Sequence, residues 1–263
     1  MKIYFVRHGR FGNNIFQYIV AKILCKEHGY ELVDSARDLG FRFVNFNDIM
    51  WHRWVLEKRI LYGRPILVNG FFQRLDMLLP YRDYIKSLLH EDNHEFINDT
   101  IRVSDLVRAY NSVDTPYHNE IVMHVRLDDF MHDRHNSHIL HPEFYTSILD
   151  MIKGDDKLSI VCDTLKNKEE EEYMREFERY SPEFRTRSML EDFAYIMKAK
   201  RLISSNSTFA FVASFLGDPE EVYIPWTNFY KEQGYCQFAP KFSIVPAMCI
   251  DIYSGQVKNY LNE

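Results

Sequence analysis

The chain of 263 residues carries 32 lysines and arginines against 38 aspartates and glutamates, a formal net charge of -6, and 46% of it is hydrophobic. That apolar share fills the core of one large domain or two small ones, and the acidic balance speaks against a nucleic-acid polyanion as the main partner while leaving room for a local phosphate pocket. Cys25, Cys162, Cys236 and Cys249 stand far apart with no C-x-x-C pair, which speaks against a zinc knuckle or a disulfide framework and for reduced thiols.

Strand and helix patterns alternate from the start. Lys2 to Val6 is a short apolar strand, Asn13 to His28 has helical spacing through Ile15, Tyr18, Ile19 and Ile23, and Glu31 to Val33 begins another strand. Phe41 to Leu61 is aromatic and irregular. Pro65 to Asn69 reads as a strand and Tyr81 to Leu89 as a helix. The polar stretch "NSVDTPYHN", 111 to 119, is the candidate linker, dividing a lobe 1–115 from a lobe 116–263. A second series follows: strand Ile121 to Val125, helix Pro142 to Ile152, strand Leu158 to Cys162, helix Asn167 to Tyr180, helix Leu190 to Ala199, strand Arg201 to Ser204, helix Thr208 to Leu216 and strand Glu221 to Ile224. Parallel α/β lobes are therefore expected, with ligands beyond the carboxyl ends of the strands. Only Ile3 to Val6 precedes Arg7, and no apolar run approaches the roughly 20 residues of a membrane span, so a soluble, cytoplasmic chain is expected.

The stretch "FVRHGRFGNN", Phe5 to Asn14, fits two chemistries. Arg7-His8-Gly9 resembles the opening of the histidine phosphatase superfamily, whose histidine is phosphorylated. Gly9 to Asn13 reads instead as a glycine turn leading into a helix, expected beside a sugar-nucleotide pocket. The phosphatase chemistry needs a late second histidine, and the last histidine here is His141.

Two strand ends carry candidate donors. In "HVRLDDF", 124 to 130, Arg126 emerges from a strand end, where its planar fork suits a diphosphate, and Asp129 is placed to hold it as structural support. An ordinary buried Arg126/Asp129 ion pair is the alternative. In "NSTFAFVASFLG" a helix begins at Ser207-Thr208, where the dipole and first-turn N–H groups favour an anion, or where Asn206 or Ser207 simply caps. His132, His135, His138 and His141 repeat at every third residue, a spacing that reads as a solvated loop rather than a metal site. Glu169 to Glu172 reads as a solvated helix face.

"GRFGNNIFQY", "GFFQ", "HVRLDDF", "HPEFY", "EDFAYIMKAKRLISSNSTFAFVASFLG" and "IPWTNF" resemble, in order and across nearly the whole chain, the blocks of the glycosyltransferase family 11 fucosyltransferases. The resemblance implies a GT-B-like α/β fold of two facing Rossmann-like lobes with parallel sheets, the N-terminal lobe on the acceptor side and the C-terminal lobe holding a GDP-sugar. It implies an inverting transfer of fucose from GDP-fucose to a glycan hydroxyl, with an α-1,2 linkage and no metal or other cofactor. Donor-binding roles carry over to Arg10, Gly12, Asn13, His124, Arg126, Asp163, Ser205, Asn206, Ser207 and Thr208. Arg126 is the expected catalytic group on the leaving diphosphate, and Asp128 and Asp133 are the nearby carboxylates for a general base. Leu127 and Asp128 depart from the family's H-V-R-R-G-D, and Phe209-Ala210-Phe211-Val212 departs from its aromatic-rich serine block. The missing anchor fits bacterial or viral enzymes better than Golgi ones. The alternatives are another nucleotide-sugar on the same fold, a histidine phosphatase-like enzyme, and a non-catalytic sugar-binding protein.

Overall fold

The structure, a computed structural model, describes residues 2–33, 44–47, 49–51, 54, 64–73, 78–88, 94–127, 131, 139–185, 187–226, 247–251 and 257–259. The chain divides into two units, Met1–Arg108 and Ala109–Glu263. Each is built on a parallel sheet, so the chain adopts the expected α/β class with two parallel-sheet units.

In the first unit β1 (Lys2–Phe5) buries Ile3, Tyr4 and Phe5 and leads into α1 (Phe11–His28). The helix starts at Phe11, ahead of the predicted Asn13, because Gly9 at φ 73° turns the chain in a left-handed step. A Cβ at Gly9 would lie 2.2 Å from the Asn13 amide nitrogen, so the turn requires glycine. The helix ends where Gly29, at φ 64°, donates its N–H to the Cys25 carbonyl. β2 (Glu31–Leu32), β3 (Val44–Phe46) and β4 (Ile66–Val68) complete a sheet of order β2-β1-β4-β3. β3 lies inside the stretch expected to be irregular. α2 (Arg82–Ser87) stands within the stretch expected to be helical, after a 3-10 turn, Leu79–Tyr81; Leu89 lies outside the described residues. α3 (Val103–Ser112) then runs into the stretch expected to be a linker. Its buried Val103, Leu106 and Ala109 recur on one face, and the Asp105 carboxylate accepts the Arg102 N–H at its start.

The second unit takes β5 (Glu120–Val125), α4 (Pro142–Ile152), β6 (Lys157–Cys162), α5 (Lys168–Arg175), β7 (Glu183–Arg185), α6 (Met189–Lys198), β8 (Arg201–Ile203), α7 (Thr208–Leu216), β9 (Glu221–Trp226), β10 (Ala247–Asp251) and β11 (Val257–Asn259). The helix expected over Asn167 to Tyr180 is shorter, with a separate 3-10 turn at Glu178–Tyr180. The sheet order is β11-β10-β9-β8-β5-β6-β7, and β11 alone among the described strands runs antiparallel. From β5 the chain steps outward to β6 and β7, then returns to lay β8, β9 and β10 on the opposite side. The reversal falls between β5 and β8, and in open parallel sheets ligands collect beyond the carboxyl ends of such a pair.

β5 is buried along its whole length, as suits a central parallel strand covered on both faces. Its first residue, Glu120, is a carboxylate in that core. The Tyr117 N–H, the Ser159 hydroxyl and the Tyr195 hydroxyl donate to it, and Arg185 lies 3.9 Å away. Burial favours the neutral acid, but those donors and the guanidinium outweigh it and hold the carboxyl below its usual range. This network sits at the amino end of the strand, away from the edge where ligands collect.

Candidate functional site

The carboxyl end of β5 places His124 and Arg126 at the reversal point. His124 is 5% exposed, and its Nδ1 lies 2.6 Å from the Ser205 Oγ, two residues beyond β8. This hydrogen bond joins the two strands flanking the reversal. The imidazole also stacks on Phe209 in the first turn of α7, with ring centroids 5.6 Å apart. Burial pushes the His124 pKa down to about 3, so the ring is neutral at physiological pH.

Arg126 follows β5 directly. Its Nη1 donates to Asp163 Oδ2 at 2.7 Å, and Asp163 follows β6 directly. The Arg126 side chain is 14% exposed and Asp163 39%. Asp163, carried over above as a donor-binding residue, therefore pairs with this arginine; the expected support from Asp129 is neither met nor replaced by it. Asp129 itself, with Asp128 and Asp133, lies outside the described residues.

Beyond β8, Ser204, Ser205, Asn206 and Ser207 are all buried. Ser204 Oγ donates to the Ser205 carbonyl, and Ser207 caps α7 by accepting the Phe209 N–H at 3.3 Å. Capping is thus real, and it does not conflict with anion binding: the helix start, led by Thr208, keeps its dipole pointed at the same edge. His124, Arg126, Asp163, Ser205, Asn206, Ser207 and Thr208 all lie at the carboxyl edge of one sheet, on the ends of β5, β6 and β8.

Arg10, Gly12 and Asn13 belong to the first unit. Arg10 is exposed at the N-cap of α1, Gly12 is buried inside the helix, and Asn13 Oδ1 accepts from Gln73 Nε2 at 2.6 Å. That bond ties the glycine-turn block to the "GFFQ" block, 60 residues apart in sequence.

Asp192 was not singled out from the sequence. It sits in the first turn of α6, beside the capping box of Ser188 and Glu191, where an acid is ordinary and carries no signal. In the structure its carboxyl is raised to about 7, chiefly by burial, with the Asp163 and Glu191 charges adding and the Arg187 N–H and charge opposing. Among the described residues its buried Oδ1 has no hydrogen-bond partner. Cys162, at the end of β6, is pushed up to about 12 by burial and by Asp163, Asp192 and Glu170, which makes it a packing residue and not a nucleophile.

Among the described residues no group of three or more His, Cys, Asp or Glu side chains could hold a metal ion, and no helix is long and apolar enough to cross a membrane. Of the histidines at every third position only His141 is described; it caps α4, its Nδ1 accepting the Glu143 N–H at 3.3 Å.

No family model matches the chain, and no curated protein matches it. Among solved structures the chain is similar to a mutant of Arabidopsis thaliana FUT1 in complex with GDP, at 12% identity and a TM-score of 0.48, over 85% of this chain and 69% of that one. It is also similar to POFUT1 in complex with GDP-fucose, at 11% identity and a TM-score of 0.43, over 85% of this chain and 96% of that one. A complex of POFUT1 with GDP gives 11% identity and a TM-score of 0.41 over 85% and 97%.

Proposed function

We propose that the chain is an inverting glycosyltransferase that moves fucose from GDP-fucose to a hydroxyl of a glycan, through an α-1,2 linkage, without a metal. One observation carries this reading: a guanidinium fixed by an acid at the reversal point of a parallel sheet, beside a serine-rich helix start. An arginine and a helix N-terminus together present the positive charge and N–H donors that a diphosphate needs.

In the reaction the acceptor oxygen attacks the anomeric carbon as the bond from sugar to diphosphate breaks. The electron pair of that bond leaves with GDP, and the acceptor proton passes to a base. Negative charge grows on the leaving oxygen, so a donor aimed there stabilises the transition state more than the ground state. Arg126 takes this role, and Asp163 holds its fork in one orientation. Ser205, fixed by neutral His124, and Thr208 add hydroxyl donors near the phosphates. The unmet oxygen of Asp192 is an acceptor suited to an N–H of the nucleobase. Asp128 and Asp133 are the proposed carboxylates for the base.

Calorimetric titration with GDP and UDP, followed by a donor panel read as nucleotide release, tests the reading. GDP is expected to bind more tightly than UDP, GDP-fucose to be the best donor, and rates in EDTA to match those in magnesium or manganese. Absence of GDP binding, or silencing by EDTA with recovery on adding metal, would falsify it.

A further inference from the structure

We propose that the first unit carries a docking site for a neutral sugar ring, formed by the exposed face of Phe71 and the hydrogen-bonded pair His8 and Asn69. That this sugar is the acceptor rests on the transferase reading above; the docking site itself does not.

β1 and β4 are neighbours in the sheet but not in sequence, so their carboxyl ends mark a crevice of the kind that collects ligands in open parallel sheets. His8 lies just beyond β1 and Asn69 just beyond β4, and His8 Nε2 sits 2.7 Å from Asn69 Oδ1. The first unit thus repeats the pattern of the second, a histidine joined across the sheet to the polar residue after the neighbouring strand.

The main chain of His8 is held with unusual care for an exposed residue. Its N–H donates to Gln17 Oε1 at 3.1 Å, and its carbonyl accepts from Asn14 Nδ2 at 3.0 Å and Gln17 Nε2 at 3.3 Å. Gln17 is 0% exposed and Asn14 4%. Two buried amides therefore hold the main chain from which this surface imidazole projects.

Phe71 keeps 44% of its surface exposed, with its ring 6.3 Å from that of His8. The next residue, Phe72, takes φ 52°, a left-handed conformation costly for a bulky side chain. Its ring is fully buried and stacks on Phe46 at 6.4 Å, while Gln73 is tied to Asn13. The left-handed step lets Phe72 and Gln73 turn inward while Phe71 stays outside. Backbone strain maintained beside an exposed aromatic is a mark of a functional surface.

The chemistry selects the ligand. A pyranose offers one face of C–H groups, which packs on an aromatic ring, and an edge of hydroxyls that both donate and accept. An imidazole and a side-chain amide answer such hydroxyls in either sense.

The experiment uses the full chain and a panel of neutral mono- and disaccharides that includes lactose, with binding read by saturation-transfer NMR and GDP titrated separately. At least one sugar of the panel is expected to bind. Phe71→Ala is expected to weaken it by about ten-fold or more and Phe71→Tyr to retain it, with GDP affinity as the check on folding. Asn69→Ala, which frees the His8 ring, is expected to weaken the same sugar. Binding of no sugar, or equal binding by the wild type and Phe71→Ala, overturns the proposal. Sugar binding by a wild-type chain that does not bind GDP, lost in Phe71→Ala at an unchanged denaturant midpoint and kept in Phe71→Tyr, keeps the docking site and sinks the transferase reading instead.

Discussion

A histidine held neutral can orient its neighbours at every physiological pH, and His124 is of this kind. Its folded pKa, pushed to about 3, lies far below the roughly 6.5 of an unfolded histidine. Below about pH 6.5 the unfolded chain binds a proton that the folded chain refuses, so the contribution to stability is complete above that pH and is lost as pH falls toward 3. His124→Gln, which keeps an amide near Ser205 but does not titrate, is expected to flatten the pH dependence of the denaturant midpoint across this window. An unchanged acid slope would count against a buried neutral imidazole. Arg126 is the opposite case, a group proposed to act through its charge on the leaving diphosphate. Loss of one transition-state donor costs about 2.7 to 4 kcal/mol, or roughly 10² to 10³ in kcat. Arg126→Ala is expected to lose turnover to that extent. Arg126→Lys is expected to recover little, because an ammonium lacks the paired geometry. Steady-state rates with GDP-fucose check both, and a Lys variant near wild-type rate would refute the role given to the fork. Such residues were legible where the strand ends were: "HVRL" announces an arginine at a strand exit. That its partner is Asp163 was not legible, since 37 residues separate them and only the parallel pairing of β5 with β6 brings their ends together.

Helices α6 and α7 set where the serine-rich edge lies, and Gly217, the C-cap of α7, packs against the Met197 backbone of α6. A Cβ there would lie 2.1 Å from the Met197 carbonyl oxygen, a contact with backbone that no rotamer can relieve. Gly217→Ala is expected to destabilise the fold by about 1 to 3 kcal/mol, as overpacking does, measured as a lower denaturant midpoint at unchanged slope. At the other end of α6, Ser188→Ala removes a capping residue whose hydroxyl accepts the Glu191 N–H, and is expected to cost about 1 kcal/mol. The box was readable as S-x-x-E, and α4 and α7 were readable from their periodicity and caps. α3 carries its apolar face at Val103, Leu106 and Ala109, and the polar stretch that begins in its last turn masks it in the sequence. β7 has three residues and a half-exposed phenylalanine, Phe184, and so offers almost no alternation to detect.

At the scale of the molecule, ligand binding is linked to folding. If GDP binds the native chain alone, a concentration about 100 times its Kd adds about 2.7 kcal/mol to stability. The midpoint of chemical unfolding is expected to rise accordingly. In hydrogen exchange, GDP is expected to protect backbone amides at the carboxyl ends of β5, β6 and β8, with the added protection centred in the second unit. Protection centred on the amino ends, around Glu120, would place the nucleotide on the wrong edge of the sheet and overturn the assignment of the site.

The sequence by itself determined the alternation of strands and helices, and with it the parallel α/β class, because hydrophobic period and capping chemistry are local properties of a chain. It also placed Arg126, Ser205 and Ser207 at strand and helix ends. Only the tertiary structure decided that β8 returns to the far side of β5, so that His124 meets Ser205 across 81 residues. The same return, with β6 on the other flank, decided that Asp163 pairs with Arg126 and that an ordinary first-turn acid, Asp192, is desolvated within reach of the Asp163 charge. Strand order is set by which apolar faces bury one another, a sum over distant contacts that no short window of residues contains.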